Sequence, residues 1–395
     1  MGYLQDTTQP AGEKMPAPTN GSRAHKRATD VVTILTSIVP KLSIILVETD
    51  RVAKVVSDIS TSVIGPTFRA KAFPENVSRN MLDLLQGLTK ISQGNKFLKK
   101  DIYDAFNDPK FFSTSLPLLR DAWLPILAQW TQSDKERIPE LLSRLSAPTT
   151  AGIMFGVGAT SARQEADKKT QLTLRRIALL ILASAEDAHT PSLPSLLEKI
   201  FELLTATPAS SPSSTTRADV IVLIRAIILK TSPVHLAGLW PVVNGELSSA
   251  LRSLLPEASN KEHYNNAGII AICKLLDQLV VLDPDDFQLM EWLFITDTID
   301  AVYKPLTPPN TLCLTDEIVE ALSQTSLPAS APPVAEVEGE EGKRTLFLDP
   351  LITALEREEG AAVLDMNRRE LVNRVVRPFL GNLAMGAFEA RYGGG

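Results

Sequence analysis

The sequence predicts an all-α fold of stacked helical hairpins, of the HEAT or armadillo kind, on three observations. Apolar residues recur at intervals of three and four along most of the chain, which places them on one stripe of a helix. Aromatic residues make up only 6% of a chain that is 44% hydrophobic, so Leu, Ile, Val and Ala dominate, as suits helix packing. Prolines stand where helices would start, at a position whose missing N–H costs nothing. At 395 residues the chain can bury a substantial core, as one elongated domain or two smaller ones.

Residues 1–29 are rich in Pro, Gly, Thr and charge, with too little apolar content to offset the entropy of ordering, and are expected to be a disordered leader. Residues 30–304 form the predicted HEAT-like domain. Its first apolar run, Val31 to Val47, is interrupted by Pro40, Lys41 and several hydroxyl residues and falls short of the roughly 20 apolar residues that cross a bilayer. A buried, kinked helix is expected there. Helical periodicity continues to Ile64 and returns over Asn76 to Ser92, Phe97 to Phe106, Leu116 to Trp130 and Ile138 to Leu145. Pro148, Gly152, Gly156 and Gly158 break the pattern, so a sub-boundary is expected near 147–163.

A helix over Gln164 to Ala185 follows, then one from Thr190-Pro191 to Leu204, a polar loop over Thr207 to Arg217, and a helix over Asp219 to Lys230. Ser232-Pro233 predicts the next start, ahead of the stripe Leu236, Leu239, Trp240, Val243, Leu247, Leu251 and Leu254. Ile269, Ile272, Cys273, Leu276 and Leu279 make another stripe, and Phe287, Met290 and Phe294 a third. The third is expected to open at Asp283-Pro284, with Asp283 as cap and Asp285 and Asp286 meeting the positive end of the helix dipole. Residues 305–344 are proline-rich and acidic, a predicted flexible linker that includes Cys313. Residues 345–395 regain periodicity and are expected to dock back on the domain.

Composition also excludes function classes. A net charge of -6 argues against a nucleic-acid binder, whose phosphate contacts need a basic excess. Cys273 and Cys313 cannot make a disulfide framework or a thiolate metal cage, which fits a reducing compartment. Asp6 and Glu13 precede any apolar run, unlike a targeting segment. His235 and His263 have no ligand partners at metal spacing. Gly156-Val157-Gly158 lacks the lysine of a phosphate loop, and the sequon at Asn76-Val77-Ser78 is a tripeptide that arises by chance. Asp297 and Asp300, at i and i+3, motivate a hydrolase dyad as a remote alternative. No catalytic residue, cofactor or metal ligand is assigned.

The candidate binding residues are basic, and the chemistry they suggest is attraction to an anionic headgroup or an acidic partner. Lys168, Lys169, Arg175 and Arg176 project within about 120° of one another on a helix, while Leu174, Ile177 and Ile181 point away. Arg368, Arg369, Arg374 and Arg377 interleave with Leu371, Val372, Val375 and Phe379; Arg369, Arg374 and Arg377 fall off that apolar stripe, as in an interfacial helix, and Arg368 falls on it. Lys90, Lys96, Lys99 and Lys100 make a looser patch.

The segments HLAGLWPVVNGEL (235–247), AICKLLDQLVVL (271–282) and FQLMEWLFITDTID (287–300), with the weaker LRRIALLILASAED (174–187), resemble in order and spacing the C-terminal region of the Dopey family. The resemblance covers roughly half the chain and is poor before Leu172. It implies a peripheral membrane protein on the cytosolic face of the Golgi, trans-Golgi network and endosomes, a non-catalytic scaffold in endosome-to-Golgi transport. It also implies a large HEAT-repeat scaffold related to Arf exchange factors and an aminophospholipid flippase as partners, and phosphatidylinositol 4-phosphate as a membrane ligand. The long N-terminal and middle regions of Dopey proteins have no counterpart here, which suggests a fragment or truncated gene product, and their functions are not carried over. The alternative is a helical adaptor for proteins alone, without lipid binding.

Overall fold

The computed structural model describes residues 20–91, 94–134, 136–145, 159–205, 214–255, 258–295, 313–323 and 346–392. Those residues form an all-α fold, with α-helices linked by 3-10 and π turns and no strand among them. Two compact units divide between Trp130 and Thr131. The glycine-rich stretch at 147–158 and the polar run at 207–213 lie outside the described residues.

The first unit contains α1 (Asn20–Ile38), α2 (Leu42–Ile45), α3 (Thr49–Ile59), α4 (Gly65–Phe68), α5 (Arg79–Thr89), α6 (Gly94–Asn107), α7 (Leu116–Leu118) and the start of α8 (Leu124–Ser133). Helix α1 begins at Asn20 rather than Asp30. Ala24, Lys26, Arg27 and Ala28 are good helix formers, so the helix extends ahead of its apolar stripe. Pro40 ends α1 in a 3-10 turn, since it cannot donate to the helix ladder. The run expected to be buried is only half so: Val32, Val39 and Leu42 face the core, while Val31, Ile34, Ile38, Ile44, Ile45 and Val47 are exposed. Its apolar arc is wider than the neighbour α5 can cover.

Elsewhere the pattern and structure agree. Ser78 caps α5, its hydroxyl accepting from the Met81 N–H at 3.3 Å. The aromatic core joins Phe68, Phe111 and Trp123 with ring centroids 5.0 and 5.6 Å apart, and Phe106 bridges Phe111 to Trp130. One buried acid, Asp101, crosses the unit: it accepts from the Ser60 hydroxyl at 2.7 Å and the Arg69 guanidinium at 3.2 Å, tying α6 to the π turn over 60–64.

The second unit holds α9 (Arg137–Ser143), α10 (Ala159–Ala183), α11 (Leu193–Thr205), α12 (Ser214–Lys230), α13 (Trp240–Arg252), α14 (Asn266–Leu282), α15 (Asp285–Phe294), α16 (Leu314–Ser323), α17 (Leu348–Glu359), α18 (Arg368–Leu371) and α19 (Arg377–Tyr392). Helices α10, α12 and α14 pack side by side as a row, with α11 against α12 and α13 against α14. Polar rungs fix the register. Gln171 donates to the Thr216 hydroxyl at 3.1 Å and Arg175 to Asp219 at 2.8 Å, separations of 45 and 44 residues. Near the other end the Ser232 N–H reaches Asp187 at 2.7 Å, again 45 residues apart. Asn265 to Thr215 and Arg225 to Gln278 repeat this between α12 and α14, at 50 and 53 residues. Near-constant separation in both directions along the chain means the three helices run parallel. The intervening helices return in a second layer, the geometry of a helical-repeat array.

Three expectations are corrected here. Ser232-Pro233 starts only a 3-10 turn (Pro233–His235), and α13 begins at Trp240 with Pro241 in its first turn. Asp283 does not cap α15: at φ 48° it ends α14 in the left-handed conformation, a position that Asp tolerates. The 305–344 segment is not wholly linker, because α16 lies inside it. Cys313, Leu314, Thr315 and Ile318 are buried there, and the Thr315 hydroxyl donates to the Phe294 carbonyl at 2.6 Å. So short an apolar pattern, flanked by prolines, gives little periodicity.

Helix α17 packs on α14, and α19 on α16. Asp277 of α14 accepts the N–H groups of Phe347 and Leu348 at 3.1 and 3.0 Å, satisfying donors that the start of α17 would leave orphaned. Burial pushes its carboxyl above the usual range, partly offset by those two bonds.

Candidate functional site

The basic residues singled out by the sequence separate into two kinds. Lys168 and Lys169 are exposed on α10. Arg175, about two turns on, pairs with Asp219 of α12 at 2.8 Å, and Arg176 is buried at 7% exposure. Burial pushes the Asp219 carboxyl up and the Arg175 guanidinium pulls it back. The predicted four-residue face is therefore a two-lysine face next to a structural rung.

In the C-terminal helices the outcome is similar. Arg368 is turned into the body: it donates to the carbonyl oxygens of Tyr264 and, at 3.3 Å, Ser253, and to the Ser253 hydroxyl at 3.3 Å. Arg374 lies 3.4 Å from Glu370, one turn earlier. Arg369 is exposed and Arg377 half-buried. The patch Lys90, Lys96, Lys99 and Lys100 is exposed, and the groove beside Lys90, ≈ 560 Å³ between α1 and α5, is lined by Thr36, Val39, Pro40, Asp83 and Gln86.

The sequence did not single out a buried clasp in the second unit. Arg217 donates to Glu246 at 2.7 Å and to the Leu204 carbonyl at 2.8 Å, and its guanidinium lies 5.5 Å from the Tyr264 ring centroid. The Tyr264 hydroxyl donates to the same Glu246 oxygen at 2.9 Å, and burial pushes the phenol far above its ordinary range. The sequence places Arg217 at the end of a polar loop with the helix opening at Asp219, whereas α12 starts at Ser214 and buries Arg217, so spacing alone carries no signal for the clasp.

A second polar knot lies at the end of α10. The Ser184 hydroxyl donates to Leu180 O at 2.7 Å, which uses its only hydrogen, so His189 Nε2, at 2.8 Å, must be the donor to Ser184. Lys230 donates to the Ser184 carbonyl at 2.9 Å. A serine whose proton is committed to the backbone, and which is 6% exposed, is no nucleophile.

Of the other candidates, His235 and His263 are exposed, and no cluster of three or more metal-ligating side chains occurs among the described residues. The Asn76 amide donates to Thr67 O at 2.8 Å. Asp297, Asp300, Gly156 and Gly158 lie outside the described residues. No helix is long and apolar enough to cross a membrane among the described residues. An uncommitted apolar feature of the second unit is the outer face of α15, where Leu289 is 70% and Trp292 62% exposed.

The family model described as DOP1 C-terminal matches residues 3–393. The chain belongs to the Dopey (DOP1) family. The Dopey relatives include Protein dop1 of Emericella nidulans, 44% identical over 363 residues, which are 92% of this chain and 19% of that one. Protein DOP1 of Saccharomyces cerevisiae is 28% identical over 206 residues, 50% of this chain and 11% of the yeast protein. Protein pad-1 of Caenorhabditis elegans is 26% identical over 227 residues, 54% of this chain and 9% of its own. The chain thus spans about a fifth or less of the Dopey proteins it matches. No solved structure matches it.

Proposed function

We propose that this chain is a non-catalytic scaffold of a Dopey-type protein, working in vesicle transport between endosomes and the Golgi on the cytosolic face of those membranes. The observation that carries the reading is the family match over residues 3–393, together with an array whose conspicuous buried polar groups are spent on joining helices. Its partners on this reading are a large HEAT-repeat scaffold related to Arf exchange factors and an aminophospholipid flippase. Membrane attachment is peripheral, through an anionic lipid such as phosphatidylinositol 4-phosphate. The cations suited to that contact are Lys168, Lys169, Arg369 and Arg377, because Arg175, Arg176, Arg368 and Arg374 are buried or bonded within the fold.

The loss of half the basic candidates to burial or to bonds within the fold favours one second reading, an adaptor for proteins with no lipid contact. Sedimentation with vesicles decides between them. The chain would be spun with neutral vesicles, with vesicles carrying phosphatidylinositol 4-phosphate, and with charge-matched phosphatidylserine vesicles, at two salt concentrations. Selective pelleting with the phosphoinositide supports the membrane scaffold; no pelleting with any vesicle leaves the adaptor.

A further inference from the structure

Helix α15 is apolar on both sides. Its inner face is Phe287 and Phe294, both fully buried, with rings stacked at 6.2 Å and Trp240 at 6.5 Å from Phe287. Its outer face is Leu289, Met290, Trp292 and Leu293, exposed by 70, 40, 62 and 38%. At 100° per residue these four side chains span less than half the helix circumference and form one continuous patch. Four exposed apolar side chains side by side on one helix mark a contact face. Trp292 is already held for contact: its indole N–H donates to the Leu289 carbonyl at 3.0 Å, which fixes the ring along the helix.

Charge decides what the face accepts. Asp285, exposed, and Asp286, half-buried, lie at the start of α15, while Glu317 of the neighbouring α16 is already paired with Arg252 at 3.8 Å. Neither helix contains a lysine or arginine. An acidic border repels an anionic bilayer and disfavours a second copy bearing the same charges, whereas it complements a basic partner. We propose that the outer face of α15 docks an amphipathic helix from another protein, with an apolar stripe seated on Leu289 and Trp292 and lysines or arginines meeting Asp285 and Asp286. Helix-on-face recognition of this kind uses anchors three and four residues apart, the spacing of Leu289, Trp292 and Leu293. The proposal deepens the scaffold reading and rests on it, but it is independent of lipid attachment.

The test measures the anisotropy of a dye-labelled amphipathic helical peptide of leucine and lysine, titrated with the full chain, against a leucine and glutamate counterpart. Saturable binding of the basic peptide alone is expected. Leu289→Gln with Trp292→Gln should weaken it at least about tenfold, as loss of two central anchors does. Asp285→Asn with Asp286→Asn should weaken it less and flatten its salt dependence. Leu289 and Trp292 are mostly exposed, so the glutamine pair should melt as the parent does, whereas the asparagine pair, which loses first-turn charge at the helix dipole, should melt slightly lower. Equal binding of both peptides, or an unaffected glutamine variant, overturns the proposal. So does a dimer in sedimentation that Leu289→Gln dissolves, which would seat a second copy on α15, or a blue shift of Trp292 on neutral vesicles, which would seat a bilayer there. Failure to pellet with any vesicle would remove the lipid reading and leave this one standing.

Discussion

Arg217 and Glu246 are each 9% exposed at the side chain, so neither has enough water around it to hold its charge alone. Removing one partner leaves the other buried and unpaired. Arg217→Met should therefore cost about 3–5 kcal/mol, whereas Arg217→Met combined with Glu246→Leu should recover much of the loss; urea unfolding of the three proteins checks both. His189 makes a second residue-scale prediction. Burial lowers its pKa from the ordinary 6.5, so the unfolded chain takes up the proton first as the pH falls. Its contribution is intact above pH 6.5 and is lost progressively below it, down to the depressed folded value. His189→Gln should flatten that part of the dependence of urea midpoint on pH, and an unchanged profile would place the titration elsewhere. Neither residue is marked in the sequence, because the partners of Arg217 and the packing that buries His189 come from other helices.

At the scale of elements, the packing of α19 turns on a missing side chain. A Cβ at Gly386 would stand 2.3 Å from the Phe347 ring, just ahead of α17. Alanine would favour the helix by about 1 kcal/mol. The steric term wins, because a rigid ring has no free end to swing aside, and Gly386→Ala should be net destabilising by about 1–2 kcal/mol. Protease sensitivity of the 346–392 segment should rise with it, as read by limited proteolysis and mass spectrometry. The helices themselves were largely legible. Long stripes such as those of α10 and α14 are strong signals, whereas α16 is short and lies among prolines. Starts were less legible: Ser232-Pro233 and Asp283-Pro284 carry the right residues, yet one opens a 3-10 turn and the other follows a helix end. A capping dipeptide states where the chain turns, and neighbouring packing decides which element follows.

For the whole molecule, the C-terminal helices are held to the rest of the second unit by contacts between residues far apart in sequence, among them Arg368 to Tyr264 and Ser253 across 104 and 115 residues. This separates structural from functional arginines by experiment. Arg368→Ala should lower stability by about 1–3 kcal/mol, the cost of the carbonyls it leaves unpaired, and leave vesicle pelleting per folded molecule unchanged. Lys168→Glu with Lys169→Glu should do the reverse, weakening pelleting on anionic vesicles with no change in melting. If Arg368→Ala instead abolished pelleting from a folded protein, the basic site would have to be redrawn around α18.

The all-α class, most helices and the family were determined by the sequence, because periodicity and local composition act within a few residues of chain. Which basic residues face outward, the parallel run of α10, α12 and α14, and the apolar outer face of α15 were decided only in the tertiary structure. Periodicity places Met290 on the stripe of Phe287 and Phe294, yet Met290 is exposed, as are Leu289, Trp292 and Leu293. Burial depends on the neighbours a helix meets from distant parts of the chain. No local pattern contains them.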